Sequence, residues 1–190
     1  MSQTSPTSLR PRTFDHRCLW RMEPAQFAHA VEMIADHEAL YRPELIVGVA
    51  RGGVPLATLL AKRLAVDMLE VTACHNRSDA VYVQATGDVD ITDLSETAQR
   101  VPPGLRVLVA DDICGSGATL RSLIPALQQT LMPISIRCAA LCRNASAPPG
   151  AVDVWTWETR DWVVFPWNTP PGRATKPLPE PLLHISEVAP

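Results

Sequence analysis

The stretch Val107–Leu120 reads VLVADDICGSGATL, and its chemistry-bearing residues are two adjacent carboxylates, Asp111 and Asp112, followed by Gly115, Ser116, Gly117, Ala118 and Thr119. Glycines at 115 and 117 leave successive backbone N–H groups bare, so that they can converge on one point. They stand just ahead of a segment with helical spacing, whose N-terminus carries partial positive charge. Ser116 and Thr119 add hydroxyl donors in the same place. The combination is a cradle for one phosphate. It lacks the Lys-Ser/Thr ending of a Walker A loop and the G-x-G-x-x-G spacing of a dinucleotide fingerprint. The carboxylates would stand beside the anion rather than hold it, because they accept hydrogen bonds from vicinal hydroxyls and attract Mg²⁺. A ribose 5-phosphate, with a phosphate at one end and a diol beside it, satisfies both halves. The plainer alternative is a strand-end turn with solvated aspartates and a helix cap. Asp-Asp alone would leave that alternative standing; the preceding strand and the Gly-Ser-Gly turn outweigh it.

The elements that must position these groups are legible from apolar spacing. Residues 24–40 place Phe27, Val31, Ile34 and Ala35 at helical spacing, with Pro24 in the first turn. Residues 44–50, ELIVGVA, form a short β-branched run ending at Arg51-Gly52-Gly53. After it, residues 54–66 read as a helix with Leu56, Leu59, Leu60 and Leu64 inward. MLEVTAC (68–74) and RVLVA (106–110) read as strands, with 111–117 as a turn and both carboxylates at an exposed strand end. A helix over 118–130 and strands over 134–142 and 151–157 complete the pattern. Strands alternating with helices imply an α/β fold with a mainly parallel sheet covered on both faces. Ligands in such sheets bind at the carboxyl ends of strands, where both Arg51-Gly52-Gly53 and the acidic stretch fall.

A chain of 190 residues suits one domain with a real core. Eighteen prolines cluster toward the ends, so residues 1–18 and 169–190 read as extended tails around a domain spanning 19–168. Residues 75–104 are polar and without a strong helix signal, and AVYVQAT (80–86) within them suits a hairpin strand. A net charge of −3 offers no general attraction for nucleic acid or an anionic membrane. No apolar run is long enough to span a bilayer, and the first residues lack a signal-peptide core. Five cysteines without secreted-type spacing fit a cytoplasmic protein with reduced thiols. Cys138 and Cys142 lack further ligands at zinc spacing, and Cys114 reads as a small filler rather than a reactive thiol.

The acidic stretch resembles the phosphoribosyl-pyrophosphate (PRPP) signature of type I phosphoribosyltransferases, and IVGVARGGVPLATLLAKRLAV resembles the same family's pyrophosphate loop and following helix. RDWVVFPWN and CLWRMEPAQF are similar to segments of its xanthine-guanine/hypoxanthine branch. The resemblance implies that Asp111 and Asp112 bind the ribose hydroxyls, with Asp112 helping to place Mg²⁺. Gly115, Ser116, Gly117, Ala118 and Thr119 would wrap the 5-phosphate. Arg51, Gly52 and Gly53 would meet pyrophosphate, at a place where members often hold a cis peptide. The 75–104 stretch matches the family's mobile loop, with Arg77 as a further pyrophosphate contact or a solvated arginine. Trp162 would stack on the base, the Val163 backbone would bond an exocyclic group, and Arg143 would read a purine 6-oxo group. The implied reaction moves ribose 5-phosphate from PRPP to a purine or purine-like ring nitrogen and releases pyrophosphate, in an enzyme that pairs as a homodimer.

Two departures bear on the acceptor. Gly115 stands where 6-oxopurine enzymes carry an aspartate that bonds N7, and Val164 stands where the xanthine-guanine enzyme has an acidic residue. Both changes remove carboxylates from the base side. They leave open a non-6-oxopurine or specialised acceptor, and also a PRPP-sensing regulator on the same fold, although the dispersed arginines argue against a nucleic-acid partner.

Overall fold

The computed structural model describes residues 12–74, 90–92, 94 and 101–187. In chain order it contains β1 (Leu19–Arg21), α1 (Pro24–Glu38), β2 (Leu45–Ala50), α2 (Val54–Leu64), β3 (Asp67–Cys74), β4 (Asp90–Thr92), β5 (Arg106–Cys114), α3 (Ala118–Leu131), β6 (Ser135–Asn144), β7 (Val154–Thr159), β8 (Trp162–Val164), β9 (Lys176–Pro177) and β10 (His184–Ile185). The 80–86 segment and Arg77 lie outside the described residues. The α/β expectation holds. The main sheet has the order β10-β7-β6-β5-β2-β3-β4, and only its edge strands β4 and β10 run antiparallel.

Helices cover both faces, which is why β2 is buried along nearly its whole length rather than on alternate residues. On one face Ala30 and Ile34 of α1 and Leu56 and Leu60 of α2 pack with Ile46, Leu108 and Leu141. On the other, Leu120, Leu123 and Leu127 of α3 pack with Val47, Val109 and Ala140. The end of α1 is tied to β6 through Glu38, fully buried, which accepts two hydrogen bonds from Arg137 at 2.8 and 2.9 Å. Buried ionised groups are retained when paired in this way.

The chain leaves β2 through α2 toward β3 on one side, and leaves β5 through α3 toward β6 on the other. The strand order therefore reverses between β2 and β5, the position where open α/β sheets form a crevice.

A second, three-stranded sheet of order β8-β1-β9 forms a hood. It corrects the expected domain limits, because residues 169–187 are no loose tail. Leu178 N–H bonds the Arg21 carbonyl at 2.9 Å, Trp157 Nε1 bonds Pro179 O at 2.9 Å, and His184 stacks on Trp155 with ring centroids 5.4 Å apart. Gln26 fastens the same segment by donating to Leu178 O at 2.7 Å. Proline suits extended edge positions, so the composition that reads as a tail also builds short strands with few ladder bonds. The N-terminal boundary moves as well. Thr13 N–H bonds Ser146 Oγ at 3.1 Å, Asp15 N–H bonds Arg160 O at 3.1 Å, and Arg17 N–H bonds Asp161 Oδ1 at 3.0 Å.

Leu178 is buried in the same core as α1 and Trp157. Truncating a buried leucine costs about 2–5 kcal/mol. Leu178→Ala is therefore expected to lower the unfolding free energy by that amount in urea titrations; a change within the noise of a surface substitution would separate this segment from the core.

Candidate active site

β5 does not stop before the acidic pair. It stays paired to β6 through Asp111 (opposite Ala140) to Cys114 (opposite Arg143), so the carboxylates lie within the strand, in its second half. Nor is the pair exposed: Asp111 keeps 8% of its surface and Asp112 is partly buried. Both differences have one cause. β6 runs as far as Asn144 beside β5, and the turn after β2 closes over the pair from the other flank.

That turn requires glycine. A side chain at Gly53 would meet the Ala110 carbonyl oxygen, with the Asp111 Cα at 2.8 Å, and one at Gly52 would run into the Asp112 carboxylate. Two backbones approach this closely only without a Cβ between them. The peptide between Ala50 and Arg51 is cis, at the position that the resemblance marks for such a bond. Arg51 is exposed at the head of the turn.

The acidic pair is electrostatically uncomfortable. Burial pushes the Asp111 carboxyl well above the usual range, and the charge of Asp112 raises it further. Burial likewise raises Asp112 to about 6, although the Ile113 N–H and the nearby Arg12 cation pull it down. The Asp112 N–H bonds Asp111 Oδ1 at 2.9 Å. Two hard carboxylate oxygen donors in this state suit Mg²⁺, which would neutralise them, and Mg²⁺ usually takes only one or two carboxylates alongside water and substrate oxygens. No cluster of three or more His, Cys, Asp or Glu side chains suited to a metal occurs among the described residues.

The small-residue loop continues from β5. Gly117 has φ +77°, left-handed backbone that favours glycine, and it caps α3, whose first turn carries Ala118 and Thr119. The loop leans on residues 147–151: a side chain at Gly117 would meet Ala151 Cβ at 3.2 Å. Burial pushes the Cys114 thiol up to about 12, which agrees with a small filler rather than a nucleophile.

Arg143, which the resemblance sets on the base side, makes several contacts within the protein. Its guanidinium pairs with Glu158 at 2.6 Å, donates to Ala147 O at 2.7 Å and lies over the Trp155 ring. It braces the 147–151 segment that lies against Gly117.

On the hood side, Trp162 is partly buried on β8, and Phe14 lies with its ring centroid 5.9 Å away. The bond from Met22 N–H to Val164 O, in a parallel ladder that pairs Trp20 with Val163, turns the Val163 peptide groups to the outer edge of β8. Val164 itself is buried. The cation on this side is Arg12. Its guanidinium carbon lies 5.6 Å from the Trp162 ring centroid, and its stem passes 3.3 Å from where a Gly115 Cβ would stand. Sequence reasoning missed Arg12 because the surrounding composition marks a tail. It missed Asn144 too, a fully buried side chain that donates to Thr13 O at 3.1 Å and holds the segment in place.

The phosphoribosyl transferase domain model matches residues 23–172, most of the chain and all of the site apart from the N-terminal segment. The chain belongs to that family. The purine phosphoribosyltransferase from Pyrococcus horikoshii superposes with a TM-score of 0.69 at 23% identity, covering 83% of this chain and 99% of that one. The xanthine-guanine-hypoxanthine phosphoribosyltransferase of Helicobacter pylori gives 0.63 at 20% identity, covering 80% and 93%. These likenesses establish the type I phosphoribosyltransferase fold. Transcriptional regulator GfcR of Methanoculleus marisnigri is 34% identical over 88 residues, 46% of this chain, which thereby spans 38% of that relative.

A phosphoribosyltransferase site that keeps two buried carboxylates sacrifices stability where the carboxylates ionise. The raised Asp112 carboxyl is neutral at low pH, so the cost appears as pH rises from about 4, the usual aspartate value, through about 6. Asp112→Asn is expected to melt above the wild type at pH 8, with the gap closing by pH 4. Calorimetric melts across that range check it; a variant that melts lower at pH 8 would show that the charge supports the fold.

Proposed function

We propose that the protein is a PRPP-dependent phosphoribosyltransferase acting on a heterocyclic ring nitrogen in the cytoplasm. The observation that carries this reading is the contact between Gly52-Gly53 and Asp111-Asp112, one wall for pyrophosphate and one for ribose, with a glycine-capped helix N-terminus beside them. Asp111 and Asp112 bind the ribose hydroxyls as charge-assisted acceptors. The amides of Gly115, Ser116 and Gly117, with the Thr119 hydroxyl, hold the 5-phosphate. Mg²⁺ would be held by Asp112 together with substrate and would supply charge neutralisation there. Arg51 and the amides of Gly52 and Gly53 receive the leaving pyrophosphate.

The bond from C1 to the pyrophosphate oxygen breaks, its electron pair leaving with pyrophosphate, and a bond from C1 to the acceptor nitrogen forms. The acceptor nitrogen's proton passes to solvent. Charge builds up on the leaving oxygens while C1 becomes cation-like, so catalysis rests on positioning and on donors preplaced at the pyrophosphate side. Trp162 offers a stacking face for the ring and Val163 its backbone groups. A homodimer is part of this reading, and sedimentation at micromolar concentration is expected to give twice the monomer mass; a single monomer peak would remove it.

The test is PRPP-dependent pyrophosphate release with Mg²⁺ against a panel of heterocycles, alongside calorimetry of Mg-PRPP binding. Because binding needs the Asp112 carboxylate charged, affinity is expected to rise from pH 5 to 7, with proton release near pH 6. Asp112→Asn should weaken binding by about tenfold or more. Unchanged affinity in that variant would overturn the ribose assignment. A second reading is favoured by the likeness to a transcriptional regulator: PRPP binding without turnover on any ring, which the same assay separates.

A further inference from the structure

The N-terminal segment enters the site from outside the part that the family model covers, and it brings a cation to the position where the sequence lacks a carboxylate. Thr13, Asp15 and Arg17 are pinned to Ser146, Asn144, Arg160 and Asp161 by backbone hydrogen bonds of 3.0–3.1 Å, so Arg12 is delivered by an anchored strand of chain. Its stem occupies the space beside Gly115, and its guanidinium lies against the rings of Phe14, at 4.6 Å, and Trp162, at 5.6 Å. A side chain at Gly115 would have to share that space. The glycine and the arginine therefore belong together: the small residue admits the cation.

We propose that Arg12 is a specificity-determining residue and that the acceptor is a heterocycle bearing a carboxylate. This rests on the phosphoribosyltransferase reading above. A guanidinium offers only donors, in a fork that matches a carboxylate, and it cannot accept a ring N–H as an aspartate would. The aromatic faces of Trp162 and Phe14 alongside suit a flat ring carrying that group. The rival is a guanidinium reading two neutral acceptors on the edge of a purine.

The experiment compares acceptor-dependent pyrophosphate release and acceptor binding for orotate and nicotinate, which carry carboxylates, with guanine, hypoxanthine and adenine, which do not. Wild type, Arg12→Gln and Arg12→Lys are measured at saturating Mg-PRPP, with PRPP affinity determined in parallel. The expected result is a wild type that favours a carboxylated ring. Arg12→Gln lowers kcat/KM for that ring by about 10- to 100-fold, the scale of one lost charge-assisted bond. Neutral rings change little, and Arg12→Lys recovers part of the loss. Preference for guanine or another neutral ring in the wild type overturns the assignment. So does an equal loss on all rings, or a general acceleration that would mark the segment as a cover. PRPP binding with no carboxylated ring bound or turned over overturns the role of Arg12 alone, whereas absent PRPP binding overturns the phosphoribosyltransferase reading and this one with it.

Discussion

The junction of β2 and β5 is the constraint from which the rest of the site follows. Adjacent parallel pairing of Leu45–Gly48 with Val107–Ala110 brings two strand ends to one point, and the chains leaving them must pass within van der Waals distance. Gly52 and Gly53 make that passage sterically possible, and the same closeness buries Asp111 and presses Asp112 against backbone. The raised carboxyl pKa values are thus first a consequence of burial in this sheet geometry, to which the adjacent Asp112 charge adds at Asp111. A divalent ion held beside the pair would offset a cost that burial already imposes on it.

Around that junction the two chain ends supply what the sheet lacks. β1, near the N-terminus, is the central strand of the hood, between β8 and β9 from the C-terminal third. The hood therefore forms only when distant parts of the sequence meet, and the N-terminal segment that precedes β1 is drawn along β8 to the site. Asn144 and Asp161, both buried, hold it there by polar bonds where an apolar contact would leave backbone groups unsatisfied.

Legibility in the sequence follows the same division. Continuous apolar runs made β2 and β5 readable, and helical spacing made α1, α2 and α3 readable, because burial on both faces of a parallel sheet leaves a strong compositional trace. The turn before α3 was readable because glycine and small residues are what a left-handed cap and close backbone approach demand. The burial of Asp111 was not readable, because it depends on how far β6 travels beside β5. Arg143 illustrates a subtler limit: its pairing with Glu158, fifteen residues on, leaves no trace in the local sequence pattern. Arg12 sits in a proline-rich stretch whose two-residue contacts carry no periodicity, so its part in the site is set wholly by tertiary packing.

The charges on the two sides of the site bear on the order in which ligands bind. Arg12 and Asp112 act on one another across the gap between the hood and the sheet, each favouring the charged form of the other. A ligand that engages Asp112 therefore changes what Arg12 gains from an anion, and by linkage an anion at Arg12 changes the affinity at Asp112 by the same factor. With the acceptor alone, Arg12 would be shared between two carboxylates while Asp111 and Asp112 still lacked a cation. In the reading proposed above, the unfavourable state would be the acceptor without PRPP, which would give a physical reason for the phosphoribosyl donor to bind first.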